Sequence, residues 1–171
     1  MSKINYMTRP IRQTGRIHDI KDWSVGELKH YDGGLIHRFS SYCSNEHYPN
    51  RLELCEKLRS WLLKLSKTKI HMEILIGGAF ITRDPAPVHV DVVCIFRQDA
   101  SVRNLNSKDK DLIKKLLVDK KYIDMYRCSI AGIFMRSTPR CAEDDKELYN
   151  EALNWFNLDK KYKSTIFRVI L

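Results

Sequence analysis

The chain has 171 residues, of which 43% are hydrophobic and 30% are charged, and these values predict one globular domain with a sizeable core. Its low Gly and Pro content excludes a fibrous or disordered chain, and its apolar runs are too short for a membrane-spanning helix. The first residues lack the apolar core of a secretory signal, so a cytoplasmic location is expected. The net charge of +9 favours a polyanionic partner, although solvated helix faces explain the same charge equally well.

The five cysteines are scattered and odd in number, which argues against a disulfide framework and for a reducing compartment. The nearest approach to a zinc pattern is formed by His37, Cys43 and His47, but its spacing is irregular and a fourth ligand is not evident. A zinc site is therefore disfavoured. Cys55 and Cys94 are expected to be small core residues.

Residues 1–48 show no sustained hydrophobic period and carry several glycine-containing turn signals. They predict an irregular segment wrapped on the domain, with a short strand near residues 35–39. The periodic core is expected over residues 49–171. Because no repeat, linker or boundary is evident, residues 1–171 are predicted to form a single domain.

The core opens with the clearest helix of the sequence. Asn50 can cap it, and its apolar positions recur at steps of three and four: Leu52, Cys55, Leu58, Leu62 and Leu65. The alternating segment IHMEILIGG then predicts a strand, and VDVVCIF, apolar on both faces, predicts a central strand. The intervening ITRDPAP predicts a loop, since proline cannot donate to a strand ladder.

The remaining segments complete a mixed pattern. They predict a helix capped by Ser107, a strand over YIDMYRCSIAGIF, a helix that begins at Asp144 or Asp145, and a final strand over STIFRVIL. The resulting order is helix, strand, strand, helix, strand, helix, strand. It predicts an α+β fold with a single mixed β-sheet of about four to five strands and helices packed on it.

The hairpin GGAFITRDPAPVHVDVVCIF, residues 77–96, carries the strongest functional signal. His89 and Asp91 lie two residues apart along a strand and therefore share a face. Two such ligands at the start of a strand suit a two-metal phosphoryl-transfer site, whose cations lie about 4 Å apart. Gly77 and Gly78 would let a polyphosphate approach the backbone without a Cβ in the way.

This hairpin resembles the signature of the nucleotidyltransferase superfamily, in which a strand ends in Gly-Ser and the next strand opens with Asp-x-Asp or Asp-x-Glu. It is most similar to a small bacterial group with a GSFVT motif, a proline-containing loop and a DID motif. The matching segments here are GAFIT (78–82), DPAP (84–87) and HVDVV (89–93). The similarity extends from about Arg51 onward and includes WFNLDKKYKSTIFRVIL.

The resemblance implies a nucleotidyltransferase-like fold that binds an NTP together with Mg²⁺ or Mn²⁺. It assigns catalytic and metal-binding roles to His89, Asp91 and Asp124, the last as a third carboxylate on the strand that contains YIDMY. The phosphates would be contacted by Gly77, Gly78 and Ala79. Arg83 is a further candidate for a phosphate contact, although any basic protein offers such residues near its loops.

Two residues depart from the motif. Ala79 stands where the superfamily has serine, and His89 stands where it has the first carboxylate. A neutral imidazole neither offsets the charge of Mg²⁺ nor binds it well, but it suits Mn²⁺ or acid–base chemistry near neutral pH. The alternatives are that His89 bonds a backbone carbonyl at the end of a loop and that Asp124 is an ordinary polar residue. Asp91 has the stronger case for a site role, because a carboxylate is costly to bury without a partner.

Two main functions are compatible with these residues. The first is metal-dependent transfer of a nucleotidyl group from an NTP to an RNA or protein acceptor, for which the resemblance implies a toxin–antitoxin or phage-defence context. The second is a catalytically degenerate, nucleotidyltransferase-like pseudoenzyme that regulates or binds, contacting nucleic acid, with RNA favoured, or a partner protein. A metal-dependent nuclease that uses His89 and Asp91 is a third reading. A membrane partner is not expected.

Overall fold

The computed structural model describes residues 17–19, 48–81, 86–136, 142–158 and 166–171. The predicted irregular segment 1–48 lies outside these ranges except for residues 17–19 and 48. The predicted strand at 35–39 and the residues His37, Cys43 and His47 lie outside them entirely.

Five strands form one mixed sheet in the order β1–β5–β2–β3–β4. Their bounds are Ile17–Asp19 for β1, Met72–Gly77 for β2, Val90–Arg97 for β3, Cys128–Arg136 for β4 and Ile166–Ile170 for β5. β1 runs parallel to β5 and β4 runs parallel to β3, whereas β2 is antiparallel to both β3 and β5. The predicted α+β architecture with a single mixed sheet is therefore confirmed, and β3 lies inside the sheet between β2 and β4.

Helices cover both faces of this sheet. Their bounds are Tyr48–Ser66 for α1, Ala100–Arg103 for α2, Ser107–Leu117 for α3, Lys120–Tyr126 for α4 and Ala142–Trp155 for α5. α1, α3 and α4 pack against alternate residues of β2 and β3, such as Ile74 and Val92. α5 packs against the residues between them, such as Leu75 and Val93. Because β2 and β3 are covered on both sides, each strand places apolar residues on both faces of the sheet, as Ile74 and Leu75 do in β2.

The described cysteines belong to this core. Cys55, Cys94 and Cys128 are free and buried, as expected for Cys55 and Cys94. Burial raises the pKa of the Cys94 thiol to about 12, so this thiol behaves as an apolar side chain at neutral pH.

The prediction of a strand over YIDMY was wrong, because these residues lie in α4 and β4 begins only at Cys128. Asp119 caps α4, since its side-chain oxygen accepts a hydrogen bond from the backbone N–H of Lys121 at 2.9 Å. Arg127 ends the helix in the left-handed conformation, with φ of 50°. These two local features override the alternation of apolar residues that suggested a strand.

Three predicted helix starts were shifted. α1 begins at Tyr48, so Asn50 lies inside its first turn and does not cap it. Asn106, rather than Ser107, caps α3 by accepting a hydrogen bond from the backbone N–H of Asp109 at 2.9 Å. α5 begins at Ala142, ahead of the expected Asp144 or Asp145.

Candidate functional site

The turn out of β2 depends on Gly78. Gly77 pairs with Asp91 at the end of the β2–β3 ladder, and Gly78 follows with φ of +71°. This left-handed conformation is strained for residues with a Cβ. The chain then enters a short 3₁₀ helix, Ala79–Ile81. Ala79 is its first residue and is half-buried.

The carboxylate of Asp91 packs directly on the bare Cα of Gly78. A Cβ at Gly78 would collide with the Oδ2 atom of Asp91. The Asp91 side chain is 22% exposed, so it lies at the rim of the sheet and not in a closed interior. Glycine at 78 thus serves two purposes: it allows the backbone turn, and it leaves room for the carboxylate.

His89 and Asp91 are in contact. The Nε2 atom of His89 lies 3.1 Å from the Oδ1 atom of Asp91, and the His89 side chain is 47% exposed. Alternation along the strand predicted that the two side chains share a face, and this contact agrees with it. Among the described residues, the basic side chain in contact with Asp91 is therefore a histidine and not a lysine or arginine.

The space beside the two glycines is filled by protein. The position that a Cβ would take at Gly77 is occupied by the aromatic ring of Phe156, and the position at Gly78 is occupied by Asp91. Phe156 is only 7% exposed and belongs to the cluster under α5. We expected the absence of a Cβ at Gly77 and Gly78 to leave space for a polyphosphate. On the side where each Cβ would lie, protein atoms fill that space instead.

Asp124 lies away from this pair. It is an exposed residue of α4, and Tyr126 of that helix packs into the cluster shared with α1 and α3. Asp91 points to the opposite face of the sheet, the face that Val93 presents to α5. In the part of the chain that the structure describes, no three His, Cys, Asp or Glu side chains are grouped to hold a metal ion. Arg83 lies outside the described residues.

The first turn of α1 holds both limbs of the loop that joins β2 to β3. Arg51, fully buried, donates from Nη1 to the backbone oxygen of Phe80 at 2.6 Å on the outgoing limb. Asn50 donates from Nδ2 to the backbone oxygen of Pro87 at 2.8 Å on the returning limb. Here this pair of residues is called the α1 clamp.

Arg127 reinforces the clamp from the start of β4. Its Nε donates to the backbone oxygen of Val88 at 2.7 Å, and its Nη1 donates to Oδ1 of Asn50 at 3.2 Å. The backbone oxygen of Arg127 accepts from the N–H of Val90 at 2.8 Å. The residue before His89 and the residue after it are therefore both held, which positions the His89–Asp91 pair.

Neither clamp residue was identified from the sequence. The sequence did contain a signal for Arg51. It lies three residues before Leu54 and four before Cys55, so it occupies the same helix face as the apolar residues of α1. An arginine in phase with buried residues indicates a buried hydrogen-bonding role. Asn50 and Arg127 gave no such signal, because their partners lie far away in the sequence.

One acidic group beside the clamp is also held in its charged form. Glu53 lies 2.7 Å from Nζ of Lys57 and 3.5 Å from Nη1 of Arg127. The hydrogen bond from Lys57, with a smaller contribution from Arg127, lowers the pKa of Glu53 below its ordinary value. Arg127 is thus partly neutralised where it contacts the loop.

The sequence of the chain matches a known protein family. The model of a protein family described as a family of unknown function, DUF6932, covers residues 34–168. No curated protein and no solved structure matched the chain. Among the described residues, the structure contains no helix with the length and apolarity needed to cross a membrane.

Proposed function

The chain belongs to the DUF6932 family of unknown function, and we propose that it is a catalytically degenerate, nucleotidyltransferase-like subunit that binds RNA. The observation that carries this proposal is the contact between His89 and Asp91. It places a group that can be cationic where a metal-dependent transferase would need a second carboxylate.

The nucleotidyltransferase-like part of the proposal is supported by the hairpin. A strand ends at a glycine pair, a loop follows, and the next strand carries a carboxylate opposite that glycine end, with Gly77 paired to Asp91. This is the arrangement that the superfamily signature implies. The α1 clamp adds hydrogen bonds to the backbone at Phe80 and Pro87, one on each limb of the connection.

Three features support the proposed loss of catalysis: the histidine beside Asp91, the alanine at position 79, and the limited space beside Gly77. Two carboxylates on one face attract a hard divalent cation, whereas an imidazole next to Asp91 offsets its negative charge when protonated. Ala79 supplies no hydroxyl for a phosphate. The ring of Phe156 fills the space beside Gly77, which further narrows the room for a triphosphate.

The RNA-binding part is supported by the net charge of +9. Neutralising phosphates releases counterions, so we expect affinity for a single-stranded RNA such as poly(U) to fall linearly with salt on a double logarithmic plot. Fluorescence anisotropy with labelled poly(U) measures this. Absence of binding at low salt would refute the RNA-binding part.

Restoring the motif tests the degenerate site. We expect the wild-type protein to show no thermal shift with an NTP and Mg²⁺ or Mn²⁺. The double variant Ala79→Ser/His89→Asp should gain a metal-dependent shift, because it rebuilds the hydroxyl and the carboxylate pair. The single variant Ala79→Ser is the matched control. A metal-dependent shift with wild-type protein would contradict the proposal.

The second candidate is the enzyme itself, a nucleotidyltransferase that works with Mn²⁺. The observation that favours it is that His89 and Asp91 stay partly exposed, at 47% and 22%, and can be reached from solvent. Incubation with radiolabelled NTPs, Mn²⁺ and total RNA or protein should then label an acceptor. Asp91→Asn should abolish the label, whereas Asp111→Asn, an exposed carboxylate of α3, should not.

A further inference from the structure

Among the described strands, β4 forms an outer edge of the sheet. β4 is nine residues long and ends the strand order, and among the described strands it pairs only with β3. An edge strand presents unpaired backbone N–H and C=O groups that can pair with another chain. The exposed side chains on this strand are also apolar: Ile133 is 45% exposed and Met135 is 57% exposed.

Ile133 and Met135 form one wall of a groove whose other wall is α3. The groove has a volume of about 340 Å³, and most of its lining side chains are apolar, including Phe96, Ile113 and Leu117. Val118, which is 62% exposed, lies at the end of α3 in the same groove. An apolar surface of this kind at a sheet edge is typical of an interaction site.

The apolar exposure is confined to one face of β4. On the opposite face, Phe134 stacks on Trp155 with ring centroids 4.1 Å apart, so α5 covers that side. A register shift between Val92 and Val93 places Gly132 opposite Val93 and leaves Ala131 as the extra residue. Regular pairing on the outer edge is therefore available after this bulge, from residue 132 to residue 136.

The positive charge of two lysines beside the groove favours an acidic partner. Lys110 and Lys114 of α3 both line it. The whole chain carries a net charge of +9, so a second copy would bring like charge to the same place. An acidic segment would be attracted instead.

We propose that β4 and the groove bind an extended acidic segment of a partner protein, which adds to the sheet as a further strand. Alternate apolar side chains of the segment enter the groove beside Ile133 and Met135, and its carboxylates lie near Lys110 and Lys114. This interaction lies beyond the proposed nucleotidyltransferase-like site and does not rest on it, since it uses neither His89 nor Asp91.

A synthetic peptide tests the recognition directly. The probe is a fluorescein-labelled peptide of about eight residues in which valine and glutamate alternate. We expect anisotropy to show binding that weakens as salt rises, because lysine–carboxylate attraction is screened. A peptide with lysine in place of glutamate should not bind. An N-methylated version should also fail, because strand addition requires its backbone N–H groups.

Surface variants test the location. Met135→Asp and Lys114→Glu should each weaken peptide binding by about tenfold or more. The matched controls are Met125→Asp, at a residue 48% exposed on α4, and Lys67→Glu, which lies after α1. The controls should leave binding unchanged, and both kinds of variant replace exposed side chains with little effect on folding.

Three outcomes would overturn the proposal. The first is that the acidic peptide does not bind. The second is that its binding is unaffected by Met135→Asp and Lys114→Glu, or is retained after N-methylation. The third is a wild-type dimer in sedimentation that becomes monomeric on Met135→Asp, because the groove would then be occupied by a second copy.

Discussion

At the scale of single residues, the candidate site is defined by contacts that constrain each other. Gly78, Asp91 and His89 form a chain in which the glycine leaves room for the carboxylate and the carboxylate contacts the imidazole. A change at any one of them therefore alters the environment of the next. This coupling makes double variants more informative than single ones.

Gly78→Ala should destabilise the fold by about 1–3 kcal/mol, because alanine is strained at this positive φ and its Cβ would meet the Asp91 carboxylate. The two causes can be separated by repeating the change in an Asp91→Ala background. If the collision matters, Gly78→Ala should cost less there. Urea unfolding measures both. Equal costs in the two backgrounds would show that backbone conformation alone is responsible.

Arg51→Met should destabilise the protein by about 1–3 kcal/mol, since the buried carbonyl of Phe80 loses the donor that lies 2.6 Å away. Methionine fills much of the same space, so the loss reports the hydrogen bond more than packing. Arg59→Met, at a partly exposed position of the same helix, is the control and should change stability by less than about 0.5 kcal/mol. Similar effects of the two changes would contradict a clamping role for Arg51.

The contact between His89 and Asp91 could be anticipated from the sequence because it follows from strand alternation between neighbours. The α1 clamp could not, because Arg51 and Phe80 are 29 positions apart and Asn50 and Pro87 are 37 apart. Such contacts depend on how α1 packs over the sheet. The filling of the space beside Gly77 by Phe156 could not be anticipated either, because it depends on how α5 packs on the other face of the sheet.

At the scale of helices and strands, the periodic spacing of apolar residues predicted an element wherever that spacing was repeated several times. It identified α1, β2, β3, α3 and β5. It failed at α4, which has only seven residues, because capping by Asp119 and the left-handed Arg127 decided the structure there. Short elements are set by their ends, and those ends leave a weaker trace in the sequence.

The start of α2 provides a test of such an end. Asp99 accepts hydrogen bonds from the backbone N–H of Ser101 at 2.8 Å and its hydroxyl at 2.6 Å, and lies 2.9 Å from Nδ1 of His71. The Ser101 hydroxyl, followed by His71, holds the pKa of Asp99 well below its ordinary value. The stabilisation is therefore complete above the ordinary pKa of about 4 and is lost as pH falls towards the native pKa.

Asp99→Ala should accordingly lower the urea midpoint at neutral pH, and the difference from wild type should shrink as pH falls below about 4. Asp111→Ala, at an exposed position of α3, is the control for a general loss of negative charge. A difference for Asp99→Ala that stays constant down to low pH would contradict the capping role of the charged carboxylate.

At the scale of the whole molecule, one sheet with helices on both faces should unfold as a unit. Cys55, Cys94 and Cys128 lie in α1, β3 and β4 and are all buried, so each reports a different part of the core. Their alkylation in native buffer should be slow, and all three should become reactive at the same urea concentration. Mass spectrometry of alkylated peptides resolves them. Early reaction of one thiol would indicate a separately unfolding element.

The order of the strands has a consequence for synthesis on the ribosome. β5 lies between β1 and β2, yet it is the last of the five strands to be translated. Until residues 166–170 emerge, β2, β3 and β4 can associate, but β1 has no described neighbour and one edge of β2 stays uncovered. A nascent chain stalled before β5 would therefore expose the apolar edge of β2, and chaperones that recognise such edges would bind there.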